Sequence, residues 1–452
     1  MIADRVDFKP ILLLLIVITL TFFTGRLVAQ SSPQVPLIII LGIGVCILTF
    51  IKPDLGLVVL IFSMLLSPEL ELAQVPKRTV VVRLDDILLI VVFFTWLAKL
   101  AINKELGLLK KTPLNLPIGL YLFACYLFTG VGIVIGNVHP IKSFFYLLKY
   151  TEYFILYFLF VNNLDSKEKV YRFFTASIIT AIIVCIYAYS QFGTRYRATA
   201  PFEGLSGEPA SFGGYLLIIL FVIFSLFLYT RSLKQKFLWA GLSFFMFVPF
   251  LQTLSRASYV GFIPAFLTLL VFTKKGKLFL IILAVSVITL PNFLIPKNVA
   301  KRVQSTFIGK ERYQSGVYES RLDSSSRSRV KNWKEIFSKW LRRPIFGYGI
   351  TGLGFIDSQY VRTLGELGLV GFSIFIWLMV SIFRQIYRTF KIVENDFTKG
   401  LSLGLLAGFV GLLFQALTTN TFIIIRIMEP FWFFTAMVIC LPTIFPRNIN
   451  QP

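Results

Sequence analysis

Three carboxylates and a set of arginines are the groups in this sequence best suited to chemistry. Glu203 and Glu208 stand in Phe202-Glu203-Gly204-Leu205-Ser206-Gly207-Glu208-Pro209, and Asp357 in Asp357-Ser358-Gln359-Tyr360. A carboxylate held against apolar walls has a raised pKa and can accept a proton from an attacking hydroxyl. Arg195 and Arg197 precede the first segment, Arg256 sits in Ser255-Arg256-Ala257-Ser258, and Arg342-Arg343 lead into Pro344. A guanidinium donates in a planar fork and keeps its charge when partly desolvated, which suits a diphosphate. Each group also has a plainer reading. Glu208, at a helix entry beside Pro209, equally serves as a charge favouring the helix dipole. Arg256 equally serves as a boundary residue that snorkels to water. The glycines at 347, 349, 352 and 354 either present N–H groups to an anion or only turn the chain. His139 is the single histidine and has no His or Cys near it, so a zinc site is not expected.

The elements that must position these groups are membrane helices. The chain has 452 residues, 56% of them hydrophobic. Apolar runs of about 20 residues, enough to cross a hydrocarbon core, recur along nearly all of it. Many are apolar all round, and none alternates with period two, so the expected fold is an all-α polytopic membrane protein and not a barrel. Spans are expected near 9–28, 36–51, 55–68, 85–102, 114–136, 141–163, 169–190, 209–230, 237–252, 257–273, 277–296, 363–388, 399–418 and 427–445. The second and third are short, so the count is about 12 to 14. Cys46, Cys125, Cys185 and Cys440 all fall in such runs and read as packing residues. Within spans, Lys149 and Glu152 are one turn apart and expected to pair, and Glu366 and Gln415 are expected to bridge helices.

A formal charge of +23 would raise nucleic acid as a partner in a soluble protein. Here the excess is expected beside anionic lipid, and no nucleic-acid partner is inferred. With the N-terminus inside, about 21 Lys/Arg fall in cytoplasmic segments and about nine in short outer loops, so both termini are expected in the cytoplasm. Three regions result: a bundle of about 11 spans over 1–296, a basic extracytoplasmic loop over 297–362, and about three spans over 363–452. The loop carries about 14 Lys/Arg against five acids, which invites an anionic partner. Its second half, 328–341, sets Val330, Trp333, Phe337 and Trp340 at helical spacing among Arg329, Lys331, Lys334 and Lys339, the pattern of an amphipathic helix. The first half, with Ser324-Ser325-Ser326, is expected to be mobile. No internal repeat is evident, which weakens a transporter built from inverted repeats.

At these clusters the sequence resembles the O-antigen ligase/polymerase superfamily, on the polysaccharide polymerase side. The resemblance covers roughly 195–370. Its segments are Gly207-Glu208-Pro209-Ala210-Ser211-Phe212-Gly213-Gly214-Tyr215-Leu216, Thr253-Leu254-Ser255-Arg256-Ala257-Ser258 and Ser328-Arg329 with Trp333. Arg343-Pro344-Ile345-Phe346-Gly347-Tyr348-Gly349, Asp357-Ser358-Gln359-Tyr360-Val361 and Gly365-Glu366-Leu367-Gly368-Leu369-Val370-Gly371 complete the set. The resemblance implies a transferase of the bacterial cytoplasmic membrane that needs no metal or other cofactor. It further implies an extracytoplasmic site under the large loop and an undecaprenyl-diphosphate-linked glycan as donor. It places the diphosphate on Arg256. Ligases of the family usually have His where Asp357 stands and Asn where Ser358 stands. The acidic residue here, with Gly207-Glu208-Pro209, is more like the polymerases, and Arg343 and Gly354 match an arginine–ten–glycine spacing seen in some of them.

The expectation is therefore an inverting glycosyl transfer between two lipid-linked substrates. Arg256 with Arg195, Arg197 and Arg329 would hold the diphosphate, Glu208 or Asp357 would take the acceptor proton, and Trp333 and Tyr360 would stack on sugar. Membrane lipids, a chain-length regulator and a flippase are the expected partners. A ligase using another acceptor, a transporter or flippase for the same lipid, and a non-catalytic scaffold are the rivals.

Overall fold

The computed structural model describes residues 34–75, 78–102, 109–194, 196–203, 207–291, 296–305, 309–313, 316–320, 324–354 and 356–446. The first expected span, 9–28, lies outside them. Every stretch expected as a span from residue 36 onward is occupied by a helix. These are α1 (Gln34–Ile51), α2 (Pro53–Leu66), α3 (Leu84–Ile102), α4 (Asn115–Val134), α5 (Pro140–Asn163), α6 (Lys167–Ser190) and α7 (Pro209–Tyr229). They continue as α8 (Leu233–Gln252), α9 (Arg256–Phe272) and α10 (Lys277–Thr289). Two further helices, α11 (Lys297–Gln304) and α12 (Ser324–Trp340), occupy the basic region, and α13 (Gln359–Ile392), α14 (Asp396–Gln415) and α15 (Ile425–Ile444) close the chain. Seven of them, α4 to α7 and α13 to α15, are long and apolar enough to cross a membrane. The protein is all-α and polytopic. Two hairpins interrupt its loops: β1 (Glu69–Val75) with β2 (Arg78–Arg83), and β3 (Gly309–Tyr313) with β4 (Gly316–Ser320). The serine run expected to be mobile instead opens α12, whose bounds otherwise match the amphipathic pattern.

The centre of the bundle is α7, α14 and α15, each buried along nearly its whole length. Oily side chains gain nothing by meeting each other in a bilayer rather than lipid, so helices there associate through close packing of small residues. Gly400, Gly404 and Gly408 form such a stripe on α14. A Cβ at Gly404 would stand 2.5 Å from the Cα of Val222 on α7, and one at Gly408 would stand 3.0 Å from that of Ile218. On another side of α14, Gly411 faces Gly261 of α9, where a Cβ would lie 2.5 Å from the Gly411 carbonyl oxygen. Gln415 fixes the end of the same contact, its Nε2 donating to Ala210 O of α7 at 3.0 Å.

α13 is broken at Gly368, whose φ of 64° and ψ of −170° are not helical. A break exposes backbone groups that lipid cannot satisfy. Segment 344–349 satisfies them: Tyr348 N donates to Gly365 O (3.2 Å) and Gly349 N to Glu366 O (2.7 Å). In return Leu369 N donates to Pro344 O (2.8 Å) and Val370 N to Ile345 O (3.2 Å). The contact is so close that a Cβ on Gly347 would lie 2.5 Å from Glu366 O, and one on Gly368 would lie 2.2 Å from Ile345 O. The N–H groups of Gly347, Gly349 and Gly352 are thus spent on protein carbonyls, which favours the turning role for this glycine-rich stretch.

Gly404→Ala is expected to cost about 1–3 kcal/mol by forcing α7 and α14 apart. Gly241→Ala, at a position on α8 with open space around it, should be neutral or slightly stabilising. Thermal unfolding of the two variants in the same detergent checks this, and equal melting temperatures would contradict the packing argument.

Candidate functional site

One end of the bundle carries a cavity of about 720 Å³, within the range of small-ligand sites. Its wall is assembled from helix ends and the loops between them. Glu208, the N-cap of α7, and Arg256, the first residue of α9, contribute from two helix starts. Arg197 and Glu203 come from the loop after α6, Arg302 from α11, Arg329 from α12, Asp357 and Arg362 from around the start of α13, and Arg426 from α15. Arg83 at the end of β2 and Lys149 on α5 complete the charges. Among the described residues the wall therefore has seven arginines and one lysine against three carboxylates. An anionic ligand matches that imbalance.

Several of these cations are held by oxygens of the protein. Arg362 Nε donates to Glu366 Oε2 at 3.0 Å, and Glu366 Oε1 in turn accepts from Thr351 N at 2.8 Å. Arg329 Nε donates to Asp357 Oδ2 at 3.3 Å, tying α12 to the segment ahead of α13. Arg83 pairs with Asp85 and donates to Met64 O at 2.8 Å. Arg426 donates from Nη1 to Pro201 O (2.6 Å) and Leu65 O (3.4 Å), and from Nη2 to Phe202 O (2.9 Å). Met64 and Leu65 end α2, so two arginines meet the negative end of that helix.

Arg197, Arg256 and Arg302 lie close enough together to act on one charge. Arg197 Nε donates to Thr253 O at 2.9 Å. Burial lowers the Arg197 pKa below its ordinary value, and the charges of Arg302 and Arg256 lower it further, with Tyr259 opposing. Arg302 Nε is buried and has no hydrogen-bond partner among the described residues. A cation such as Arg197, whose basicity is lowered by burial and by neighbouring charges, gains much from a bound anion. The turn bearing Arg256 is well fixed. Ser255 caps α9 by accepting from Ser258 N (3.4 Å), Ser258 Oγ donates to Ser255 Oγ (2.9 Å), and Gly213 of α7 leaves room for the Ser258 hydroxyl.

The carboxylates differ from one another. Glu208 Oε2 accepts from Ser211 Oγ at 2.7 Å. Glu203 Oε2 accepts from Ala200 N (3.2 Å) and Glu208 N (2.9 Å), and its Oε1 is buried with no partner among the described residues. Burial pushes the Glu203 carboxyl up to about 7, although the Arg426 charge and those two amides pull the other way.

Of the residues singled out from sequence, the fold brings Arg197, Glu208, Arg256, Arg329 and Asp357 to this one wall, while Arg195 lies outside the described residues. Tyr360 is not on it: its hydroxyl donates to Leu413 O at 2.7 Å and its ring packs on Phe375, joining α13 to α14. Trp333, partly buried on α12, does not line the cavity either. Nor do Lys149 and Glu152 form an ion pair; Lys149 lines the cavity instead. Sequence reasoning had counted Arg83, Arg302, Arg362 and Arg426 only as loop charges. A stronger signal went unread on α5, where Tyr146, Lys149, Tyr150 and Tyr153 repeat at i, i+3, i+4 and i+7 and all line the cavity.

These features define a helical membrane protein with a polar, cationic cavity at one end of its bundle. Residues 241–376 match the O-antigen ligase family, which supports, over that stretch, the resemblance seen in the motifs. The match runs from α8 into α13 and includes Arg256, Arg302, Arg329, Asp357 and Arg362. No curated protein matches the chain.

Arg362 and Glu366 are 5% and 1% exposed, so breaking their pair leaves a buried, uncompensated charge. Arg362→Met is expected to lower stability by about 3–5 kcal/mol. Adding Glu366→Met should recover at least half of that loss in detergent melts. A second substitution that deepens the loss would contradict this account.

Proposed function

We propose that this protein is a glycosyltransferase that joins undecaprenyl-diphosphate-linked glycans at the extracytoplasmic face of a bacterial cytoplasmic membrane, as a polysaccharide repeat-unit polymerase. The observation that carries the reading is the excess of cations on the cavity wall, with Arg197, Arg256 and Arg302 as its centre. A diphosphate is a dianion or more, and three converging guanidiniums supply the charge and the donors that it needs. The family match at 241–376 supports chemistry of the ligase or polymerase kind. The polymerase branch is preferred because Asp357 replaces the histidine usual in ligases and because Gly207-Glu208-Pro209 precedes α7.

In this reading the leaving group is a diphosphate, already a weak base, so the protein acts chiefly by positioning and by stabilising developing negative charge. Arg197, Arg256 and Arg302 hold the departing diphosphate and make up for its growing charge with their own. Arg329, paired with Asp357, sets α12 over the cavity as a cover. Tyr146, backed by the more deeply buried Tyr150 and Tyr153, offers aromatic surface to the sugars in place of Trp333 and Tyr360. A carboxylate on the wall accepts the proton of the attacking hydroxyl, and inversion at the anomeric carbon follows from a single displacement. With the cavity end placed extracytoplasmic, both termini fall in the cytoplasm. A flippase would deliver the substrate and a chain-length regulator would act on the product.

The test uses purified protein in lipid with a short undecaprenyl-diphosphate-linked oligosaccharide. A ladder of longer lipid-linked glycans is the expected product, reduced about 10²–10³-fold in Arg256→Ala, by analogy with loss of one donor to a developing oxyanion. A single transfer to an added non-lipid-diphosphate acceptor would make the protein a ligase instead. Movement of the lipid across vesicles with no covalent change would sink the enzyme reading.

A further inference from the structure

Two of the three carboxylates on the cavity wall are engaged with side chains, Asp357 with Arg329 and Glu208 with Ser211. Glu203 is held otherwise. Its Oε2 is fixed by two main-chain amides, while Oε1 is out of solvent and accepts from nothing among the described residues. A buried acceptor without a donor costs free energy, and since Glu203 is a residue of the cavity wall, a ligand hydroxyl drawn in beside its carboxyl would supply the missing donor.

The loop that presents Glu203 is built to stay in place. Arg426, itself buried, clamps the carbonyls of Pro201 and Phe202, the two residues just ahead of Glu203. Phe202 is held at φ 60°, a left-handed conformation that costs a bulky side chain energy and persists only where the surroundings enforce it. Gln191 anchors the start of the loop, exchanging hydrogen bonds with the backbone of Thr199 at 3.0 Å in both directions. A carboxylate on a clamped, strained turn has its reach and direction set before a substrate arrives.

On the reading of this cavity as a glycosyl-transfer centre, we propose that Glu203 is the catalytic base, its Oε1 taking the proton of the acceptor hydroxyl. The acceptor oxygen forms a bond to the donor's anomeric carbon as the bond from that carbon to the diphosphate oxygen breaks. The electron pair of the broken bond leaves on the diphosphate, against Arg197, Arg256 and Arg302. The proton passes to Glu203 and from there to water. One glycosidic bond is made, one glycosyl–phosphate bond is lost, and charge balances.

The raised pKa fits this work, since a base that titrates near neutrality combines adequate ionisation with adequate strength. Arg426 from α15 and Glu208 from its own loop act on Glu203 in opposite directions, the first favouring and the second opposing its ionisation. Arg83, Lys149, Arg197, Arg256, Arg302 and Arg362, the Arg329–Asp357 pair, and the tyrosines of α5 are the other charged and titratable groups on the wall. The sign follows directly: a base must be ionised, so activity is full above the Glu203 pKa and lost as pH falls through about 7.

Single-turnover rates with the lipid-linked oligosaccharide, from about pH 5.5 to about pH 9, test the assignment in wild type, Glu203→Gln and Glu203→Asp. Wild type is expected to lose about tenfold per pH unit below the Glu203 pKa. Glu203→Gln should be slower by about 10²–10⁴-fold, with the acidic limb gone and donor binding retained. Glu203→Asp should keep the limb at an intermediate rate. An active wild type with a flat profile, or a Glu203→Gln enzyme that keeps the wild-type rate or limb, overturns the role of Glu203 while leaving the glycosyl-transfer reading intact. Should Glu203→Gln not fold, the wild-type and Glu203→Asp profiles decide alone. A wild type that binds the lipid but turns nothing over overturns both.

Discussion

Charge taken out of water must be met by an oxygen close by, and the architecture at the cavity end of this protein follows from that constraint. Arg362 has Glu366, Arg83 has Asp85 and the Met64 carbonyl, and Arg426 has the carbonyls of Leu65, Pro201 and Phe202. The carbonyl contacts of Arg83 and Arg426 join pieces of chain remote in sequence, so these two arginines act as ties. The tie through Arg426 fastens α15 to the end of α2 and to the loop carrying Glu203. Arg197, which donates to the Thr253 carbonyl, still feels the charges of Arg302 and Arg256, and an oxygen-rich ligand would relieve that excess.

The opposite end of the bundle shows the contrast. There the charges lie on short connections and are answered pairwise in more open surroundings. Arg231 and Lys275 share Asp396, Lys169 lies between Asp54 and Asp165, and Lys110 Nζ reaches Leu164 O. Between the two ends the interior is apolar, with Leu216, Ile219, Phe221, Leu405 and Phe409 fully buried on α7 and α14. Such an interior suits a site reached from one side better than a polar route through the bilayer.

Backbone is under the same rule as charge. The break at Gly368 would strand amides and carbonyls in an apolar setting, and segment 344–349 exists in its observed path because it satisfies them. That seam holds the start of α13, and with it Asp357 and Arg362, in register with α12. Trp340 Nε1 donates to Pro344 O at 3.1 Å and Tyr348 Oη to Lys339 O at 2.9 Å, so α12 is anchored to the same segment. Two glycine-containing motifs that look independent along the chain are thus the two sides of one contact.

The sequence by itself determined the membrane-spanning helices and the grouping of the motif residues. Runs of apolar residues of bilayer length have no other stable form in lipid, so α4 to α7 and α13 to α15 were legible from hydropathy alone. Glu208, Arg256, Arg329 and Asp357 were legible because each sits in a recognisable string at or near the start of a helix, and Arg197 because it precedes one of those strings. What only the tertiary structure decided was direction. Tyr360 and Lys149 both lie on helices near the site, yet packing turns Tyr360 to Leu413 and Lys149 to the cavity. Arg302 and Arg426 look like ordinary loop cations until the fold buries Arg426 and sets a half-buried Arg302 on the cavity wall. Glu203 and Glu208 are alike as residues, and the difference between them comes from which donors surround each oxygen and how much water is left. Hydropathy is a property of a segment and can be summed along the chain. Solvation and hydrogen bonding of a single atom depend on neighbours from elsewhere in the sequence, which only the folded arrangement supplies.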